Sequence, residues 1–295
     1  MSRTPDPDAL RFPPPRPVSA GLYIVATPIG NLRDITLRAL DVLSVADIVL
    51  AEDTRVTGRL LSAFGLKAGV WRCDDHVGAA KAEEVIARIE AGAIVALVSD
   101  AGTPLISDPG YVLVRAVAAA GLPVHPVPGA SSLTAALSAA GLPSDRVLFT
   151  GFLPTKSAAR IRALEALSTT PASLVFFESG PRLRASLSDM ARTLGPREAC
   201  VAREITKLHE TFERGTLDDL AVRDSLDAPK GEIVVMVAPP ARGEGEVPPE
   251  GEIDAALSEA LQDNGPSRAA AEVAARLGLE RRALYRRALA LKAGT

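Results

Sequence analysis

The chain has 295 residues, of which 47% are hydrophobic and 23% are charged, and its formal net charge is −3. This length and apolar content predict a globular protein with two compact domains and an appendage. The net charge excludes the strongly basic field that marks many nucleic-acid-binding proteins, so an affinity of that kind has to be local. No apolar run reaches the roughly 20 residues that span a bilayer, and two cysteines and three histidines without ligand spacing predict no metal site.

The first part of the chain is a polar leader followed by a repeating pattern of strand and helix. Proline and charge dominate residues 1–17, which predicts a disordered tail. Residues 18–127 alternate short β-branched runs with helical periods, and this alternation predicts right-handed crossovers and a mostly parallel sheet. The expected strands of this N-terminal α/β domain are GLYIVAT, DIVLAE, AIVALVSD and LPVHPV.

The rhythm changes in residues 128–238, where we expect a second α/β domain. Its strand patterns are RVLFTGF, ASLVFFE, EACVARE, ETFERGT and GEIVVMVA, with helices between only some of them. EACVARE and ETFERGT follow each other without a helix, which predicts an antiparallel hairpin and therefore a mixed sheet. Residues 239–252, rich in Pro, Gly and Glu, are typical of a linker.

Residues 253–295 predict a small helical domain of the helix-turn-helix kind. A serine at position 267 caps one helix, a turn follows around residue 278, and a second helix carries an apolar face. Residues 268–292 contain seven basic and two acidic residues, so positive charge is concentrated here. Two interpretations stay open: a solvated helical hairpin, or a basic module that meets the phosphates of nucleic acid.

Four loop segments carry residue types that favour ligand binding. Residues 27–31, 52–55, 99–110 and 128–132 follow expected strands, and the carboxyl ends of parallel strands share one edge of a sheet. Glycine and proline let the backbone approach a ligand, and the helix that begins at residues 131–132 favours a carboxylate or phosphate. Neither the Walker motif nor the dinucleotide fingerprint occurs in the sequence. We therefore expect a small-molecule cleft at this edge.

These segments, taken together, resemble a known family. The ordered series GLYIVATPIGNLRDITLRAL, AEDTRVTGRLL, VALVSDAGTPLISDPG, PVPGASSLTAAL, GFLPTK, AREITKLHET and GEIVVMV is similar to the bacterial 16S rRNA (cytidine-2′-O)-methyltransferase family, within the tetrapyrrole-methylase superfamily. The resemblance covers residues 20–238, and the basic C-terminus is similar to the helix-turn-helix extension that many members carry. Two segments depart from the family pattern: CDDHVGAAK stands in place of a His-Glu segment, and FFESGPRL lacks the usual histidine.

The resemblance implies a two-domain, tetrapyrrole-methylase-like α/β fold with a parallel first sheet and a mixed second sheet. It also implies a homodimer, with S-adenosylmethionine held in the cleft between the two domains. The residues that it places at this methyl donor are Pro28, Asp100, Gly102, Thr103, Pro104, Ser131, Ser132, Gly231 and Glu232.

The implied reaction is an in-line displacement from a sulfonium onto a ribose 2′ oxygen. A hydroxyl is a poor nucleophile until its proton leaves, so a base within hydrogen-bond reach helps, beside the positioning of donor and acceptor. The candidate catalytic groups are Asp53, Asp100, Glu178 and Glu210, with Lys207 as a cation that lowers the pKa of the hydroxyl or holds a phosphate. The candidate RNA contacts are Arg33, Arg55, Arg203, Arg281, Arg282 and Arg286.

Three functional hypotheses follow. The first is a cytoplasmic enzyme that methylates the ribose 2′-OH of a decoding-site cytidine in 16S rRNA, within the small ribosomal subunit. The second keeps the donor and replaces the acceptor with a tetrapyrrole or another small molecule, although TPIGN stands in place of a glycine-rich acidic loop. The third is a non-enzymatic nucleic-acid-binding regulator built on the helix-turn-helix.

Overall fold

The computed structural model describes residues 13–73, 75–240, 250–277 and 279–293. Parts of the expected tail and linker, residues 1–12 and 241–249, lie outside the described residues, as does Gly278 in the expected turn. The chain divides into two compact units, one ending at Pro240 and the other containing the helices after residue 249. In the described ranges, no helix has the combination of length and apolarity that a bilayer span requires.

The first sheet is entirely parallel, as the alternation of strand and helix predicts. Its strands are β1 (Gly21–Val25), β2 (Ile48–Ala51), β3 (Gly69–Arg72), β4 (Ile94–Val98) and β5 (Val124–Val127). Their order is β3-β2-β4-β1-β5, so β1 and β4 lie at the centre. All four residues of β2 are buried, because helices cover both faces of the sheet.

Two helix pairs provide this cover. The helices α1 (Leu37–Val45) and α2 (Thr54–Ala63) pack on one face, while α3 (Asp75–Glu90) and α4 (Tyr111–Ala119) pack on the other. Apolar positions at helical spacing, such as Val85 and Ile89 in α3, are fully or nearly buried against the strands.

The second sheet is mixed, as predicted. Its strands are β6 (Val147–Phe152), β7 (Ser173–Ser179), β8 (Glu198–Arg203), β9 (Thr211–Thr216) and β10 (Glu232–Val237). The order is β6-β7-β10-β8-β9, in which β6 and β7 are parallel and the other pairs antiparallel. The predicted hairpin is the β8–β9 pair.

Helices also cover the second sheet on both faces. One face packs on α6 (Ser157–Glu165), α7 (Gly180–Leu194) and α8 (Leu217–Val222), with Phe176 fully buried among them. The other face packs on α5 (Ser132–Ala140), whose Ala136 and Ala140 contact the strands. Small residues on α5 let the helix lie close to the sheet.

The C-terminal unit is a bundle of three helices around its own core. They are α9 (Glu250–Asp263), α10 (Pro266–Leu277) and α11 (Arg281–Ala293), and α9 begins within the segment expected as a linker. Leu257, Val273 and Leu284, one from each helix, lie buried at the centre.

Candidate active site

The four loop segments meet at one edge of the first sheet because the ends of their strands are in register. Val25, the last residue of β1, pairs with Val98 of β4 and with Val127 of β5. Ala51, the last residue of β2, also pairs with Val98. The four strands therefore end at the same level of the sheet, and the loops that follow them form a common rim.

Hydrogen bonds fasten the loops to one another. The backbone N–H of Thr27 donates to the carbonyl of Gly102 at 2.9 Å, and the N–H of Gly102 donates to Thr27 at 3.0 Å. The buried hydroxyl of Ser99 donates to the same Gly102 carbonyl at 2.9 Å. Thr103 reaches the next loop, where its hydroxyl donates to the carbonyl of Ala130 at 3.1 Å. The rim is thus a preorganised surface built from separate parts of the chain.

The loop after β4 has an unusual backbone. Gly102 has φ +86°, and a Cβ there would lie 3.2 Å from the side chain of Ile29. Leu105 and Ser107 have φ of 71° and 67°, in the left-handed region that residues other than glycine rarely adopt. Strain of this kind persists where the surrounding structure fixes it, and it clusters at binding sites.

A cleft of about 370 Å³ opens between this rim and the second sheet. Such a volume suits a small molecule, since ligand pockets range from about 300 to 1,000 Å³. The second sheet contributes Phe152, Phe177 and Glu178 together with Gly231 and Glu232. The rings of Phe152 and Phe177 pack edge to face, 5.7 Å apart. Phe152 is 58% exposed, so much of its ring is free to contact a ligand in the cleft.

The first helical turn of α5 faces the cleft. Ser131, the N-cap residue, and Ser132 line the cleft, and the side chain of Ser131 makes no capping hydrogen bond. The first N–H groups of a helix have no partner within the helix, and the helix dipole adds partial positive charge at this end. This end of the cleft therefore favours a negatively charged group.

Carboxylates dominate the electrostatics of the rim. Burial, reinforced by the negative charges of Glu52 and Asp100, raises the pKa of Asp108 to about 6, although a bond with Ser99 opposes this rise. Both Asp100 and Asp108 line the cleft. The part of the cleft lined by Asp100 and Asp108 therefore attracts a cation, and Asp108 takes up a proton as the pH falls through about 6.

Asp53 lies outside the cleft and has a separate partner. Arg55 binds its carboxylate through Nε at 3.1 Å and Nη2 at 2.7 Å, and these bonds hold the pKa of Asp53 well below its ordinary value. The backbone N–H of Asp53 in turn donates to Asp100 at 3.1 Å. Asp53 thus orients the start of α2 and supports the position of Asp100.

Glu178 lines the cleft but is held on every side by its own chain. It is buried, accepts the backbone N–H of Ser179 at 2.8 Å and the hydroxyl of Ser186 at 2.5 Å, and lies 3.3 Å from the Nε of Arg182. Arg182 also donates to the carbonyl of Leu153 at 2.6 Å. This network fixes the segment that carries Phe152.

The loop between β8 and β9 reaches across to the first sheet's rim. Lys207 lies against Gly30, and its ammonium pairs with Glu204 at 2.8 Å and Glu232 at 3.0 Å. Burial lowers the pKa of Lys207, but the two carboxylates outweigh burial and raise it overall. The Thr206 hydroxyl donates to Asp34. The loop therefore ties the two halves of the cleft together with its charges paired.

The structure brings most of the predicted donor-binding residues together and places a few elsewhere. Glu210 accepts the N–H of Thr206 and so closes its own loop, and Pro28 lines a second cavity beyond Asp100. Pro104 does not line the cleft, nor do Asp53, Lys207 or Glu210. The predicted residues that do line it are Asp100, Gly102, Thr103, Ser131, Ser132, Glu178, Gly231 and Glu232.

The predicted arginines lie at three different places. Arg33 lies in the loop after β1, and Arg55 lies in the first turn of α2. Arg203, at the end of β8, donates to the hydroxyl of Thr211 and to the carbonyl of Lys230, each at 3.4 Å. In the C-terminal unit, Arg281, Arg282 and Arg286 are exposed on α11. Their neighbour Arg287 instead pairs with Asp254 and Glu250 of α9.

Two features of the cleft were not predicted from the sequence. Asp108 sits five residues beyond Thr103 in the same loop, and its position beside Glu52 depends on the meeting of two separate loops. Phe152 belongs to a strand pattern, which gave no sign that its ring faces a cavity. Within the described chain, no group of three or more His, Cys, Asp or Glu residues is arranged to hold a metal ion.

Comparison with known proteins identifies this architecture. The sequence model of the tetrapyrrole (corrin/porphyrin) methylases matches residues 21–221, and that of the RsmI C-terminal HTH domain matches residues 247–292. The fold is similar to uroporphyrin-III-C-methyltransferase from Thermus thermophilus, with a TM-score of 0.53 and 24% identity over 78% of this chain and all of that chain. It is also similar to the methyltransferase CobJ, with a TM-score of 0.55 and 18% identity over 75% of this chain and 95% of that chain.

Curated relatives match at much higher identity. Proteins named ribosomal RNA small subunit methyltransferase I are 48% identical in Mesorhizobium japonicum, over 95% of both chains, and 53% identical in Erythrobacter litoralis, over 94% of this chain and 97% of that one. The Escherichia coli O157:H7 protein of the same name is 47% identical, over 91% of this chain and 94% of that one. The chain belongs to the ribosomal RNA small subunit methyltransferase I family, within the tetrapyrrole methylases.

Proposed function

We propose that the chain transfers the methyl group of S-adenosylmethionine to the ribose 2′-OH of a decoding-site cytidine in 16S rRNA. Family membership supports rRNA of the small subunit as the acceptor. The observation that carries the donor assignment is the cleft itself, which combines an aromatic wall, a helix N-terminus and two carboxylates.

Each part of the cleft fits one part of this donor. Phe152 and Phe177 offer apolar surface to an adenine ring. The N-terminus of α5 favours the carboxylate of the methionine moiety. Asp100 and Asp108 favour the positive charges on the sulfonium and ammonium groups. When bound, the donor supplies an electrophilic methyl group, and the remaining chemistry belongs to the residues around the acceptor.

Asp100 is the residue that we propose as the base for the ribose hydroxyl. Glu178 has its oxygens occupied by its own chain, and Lys207 is paired with two carboxylates. Asp53 is bound by Arg55. Asp100 instead accepts a single backbone hydrogen bond among the described residues, lies exposed on the rim, and lines both cavities that meet there. It can therefore approach an acceptor oxygen while the donor occupies the cleft.

The test is methyl transfer by the purified protein to small ribosomal subunits that lack this modification. Asp100→Asn is expected to lower kcat by about 10²- to 10⁴-fold, the usual contribution of a general base. Asp145→Asn, which removes an exposed carboxylate far along the chain, is expected to leave kcat unchanged. A kcat for Asp100→Asn within a few-fold of the unmodified chain would remove Asp100 from the chemistry. Uroporphyrinogen, the acceptor under the tetrapyrrole hypothesis, is expected to receive no methyl group.

The C-terminal unit is proposed to contact the phosphates of the RNA. Arg281, Arg282 and Arg286 lie exposed on α11, and Tyr285 between them is 40% exposed. Each phosphate contact by an arginine releases counterions. The double variant Arg282→Ala/Arg286→Ala should therefore weaken RNA binding and make the slope of the logarithm of the binding constant against the logarithm of salt concentration shallower by about two. An unchanged salt dependence would show that α11 has another role.

We also propose that the enzyme works as a homodimer in the cytoplasm, where ribosomal subunits are found. Exposed apolar side chains support self-association: Tyr111 and Val112, at the start of α4, are 63% and 44% exposed. Light scattering of the purified protein measures the oligomeric state, and a monomer at micromolar concentration would contradict this part of the proposal.

A further inference from the structure

We infer that the second cavity holds the acceptor nucleotide itself, drawn out of the RNA stack. The cavity lies beside the donor cleft, between the loop after β1 and helix α2, and has a volume of about 290 Å³. This inference rests on the proposed function, because it assigns the acceptor of the same reaction.

The position of the cavity is the first observation. Asp100 lines both this cavity and the donor cleft, so one carboxylate stands at their junction. In-line transfer requires the acceptor oxygen and the donor methyl group to meet at close range, with the base beside them. A nucleotide in the second cavity would bring its ribose hydroxyl to the carboxylate that the donor also faces.

The lining of the cavity is the second observation. Leu32 and Leu60 contribute apolar surface from opposite walls, and Leu32 is 48% exposed although it is a large apolar side chain. Apolar side chains of this kind can pack against the face of an extruded base. Pro28 and Val56 complete the apolar lining.

Arg59 provides the charge that a nucleotide requires. It is exposed on α2 and lines the cavity, and its Nε donates to the carbonyl of Arg55 at 3.4 Å. Among the described residues, its terminal amino groups have no hydrogen-bond partner, so they can donate to a phosphate. Arginine binds phosphate oxygens through two parallel N–H groups, which fixes the orientation of the nucleotide.

The size of the cavity sets the class of ligand. A volume of about 290 Å³ admits one nucleotide and not a helical stack. Enzymes that modify a nucleotide inside a structured nucleic acid extrude it into such a pocket. The inferred ligand is therefore a single unstacked nucleotide with its 5′ or 3′ phosphate on Arg59.

The experiment separates acceptor binding from donor binding. Arg59→Ala is expected to raise KM for small ribosomal subunits by about 10- to 100-fold, the usual effect of losing a charged hydrogen bond. The dissociation constant of S-adenosylmethionine, measured by calorimetry, should change by less than twofold. Arg59→Lys should recover part of the loss because it keeps the charge. Arg115→Ala removes an exposed arginine that lines neither cavity and should leave KM unchanged.

A second variant tests the volume of the cavity independently of charge. Val56→Phe narrows the cavity and is expected to reduce kcat/KM for the subunits at least tenfold while donor affinity is retained. If Arg59→Ala and Val56→Phe weaken the binding of S-adenosylmethionine as much as they weaken the binding of the subunits, the cavity is part of the donor site and the inference is overturned. If neither variant changes the RNA kinetics, the cavity is not the acceptor site. Failure of the proposed function is a different result: the unmodified chain would then bind no donor or methylate no rRNA.

Discussion

Replacing Asp108 with asparagine tests the electrostatics of the cleft. Burial and the neighbouring carboxylates raise the pKa of Asp108 from the ordinary 3.8 to about 6. The folded state therefore holds its proton more tightly than the unfolded state, and ionising Asp108 at neutral pH costs stability. The full difference corresponds to about 3 kcal/mol, and partial solvent exposure of the side chain reduces it to about 1–2 kcal/mol.

Asp108→Asn is thus expected to be more stable than the unmodified chain by about 1–2 kcal/mol at pH 7.5. The gain should shrink as the pH falls through 6 and should nearly disappear once the pH is well below 3.8, because Asp108 is then protonated in both states. Urea unfolding of both chains across this range measures the difference, with Asp145→Asn as a control for removal of an exposed carboxylate. A loss of stability in Asp108→Asn at pH 7.5, or a gain independent of pH, would refute this account of the cleft.

Three further predictions concern stability and RNA binding. Asp189 forms an ion pair at 2.6 Å with Arg160, a buried residue of α6, so Asp189→Asn should lower the free energy of unfolding, measured in urea, by about 3–5 kcal/mol. Arg192→Ala removes the exposed partner of Asp189 and should lower it by less than about 1 kcal/mol. A Cβ at Gly180 would overlap a backbone carbonyl, while one at Gly58 would meet nothing within 4 Å; Gly180→Ala should destabilise by about 2 kcal/mol or more, and Gly58→Ala should stabilise by about 0.5–1 kcal/mol. Removing residues 250–295 should weaken binding to small ribosomal subunits and leave donor affinity within twofold, since the two units have separate cores; loss of donor binding would favour the regulator hypothesis instead.

The sheets could be predicted from the sequence because their signals are local. Runs such as GEIVVMVA are apolar on both faces, and glycines end several helices at the expected places. β3 gave no such signal, because this four-residue edge strand begins at Gly69 and none of its residues is fully buried. An edge strand with mixed exposure lacks the periodicity that identifies a central one.

The rim of the cleft was predictable for a similar reason. Four loops follow four parallel strands, so the topology alone brings them together once the strands are in register. Which partner each side chain contacts at the rim depends on residues that are distant in the sequence. Lys207 forms an ion pair with Glu232, which is 25 positions away in the sequence, and the charge of Glu52 acts on Asp108 from a different loop. Neither interaction leaves a pattern in the sequence.

The cavities themselves were beyond a sequence prediction. Whether Glu178 is exposed to a ligand or bound by Ser186 depends on how β7 and α7 pack. Likewise, a separate cavity at Pro28 exists because the loop after β1 stands away from α2. Distances between packed elements decide these features, and composition and spacing carry no record of such distances.

The most direct test of the proposed function is a map of ribose methylation in 16S rRNA from cells with and without the gene. We predict that one 2′-O-methyl group, on a decoding-site cytidine, disappears with the gene. The unmodified chain should restore it, and Asp100→Asn should not. An identical methylation map in the two strains would contradict the proposal.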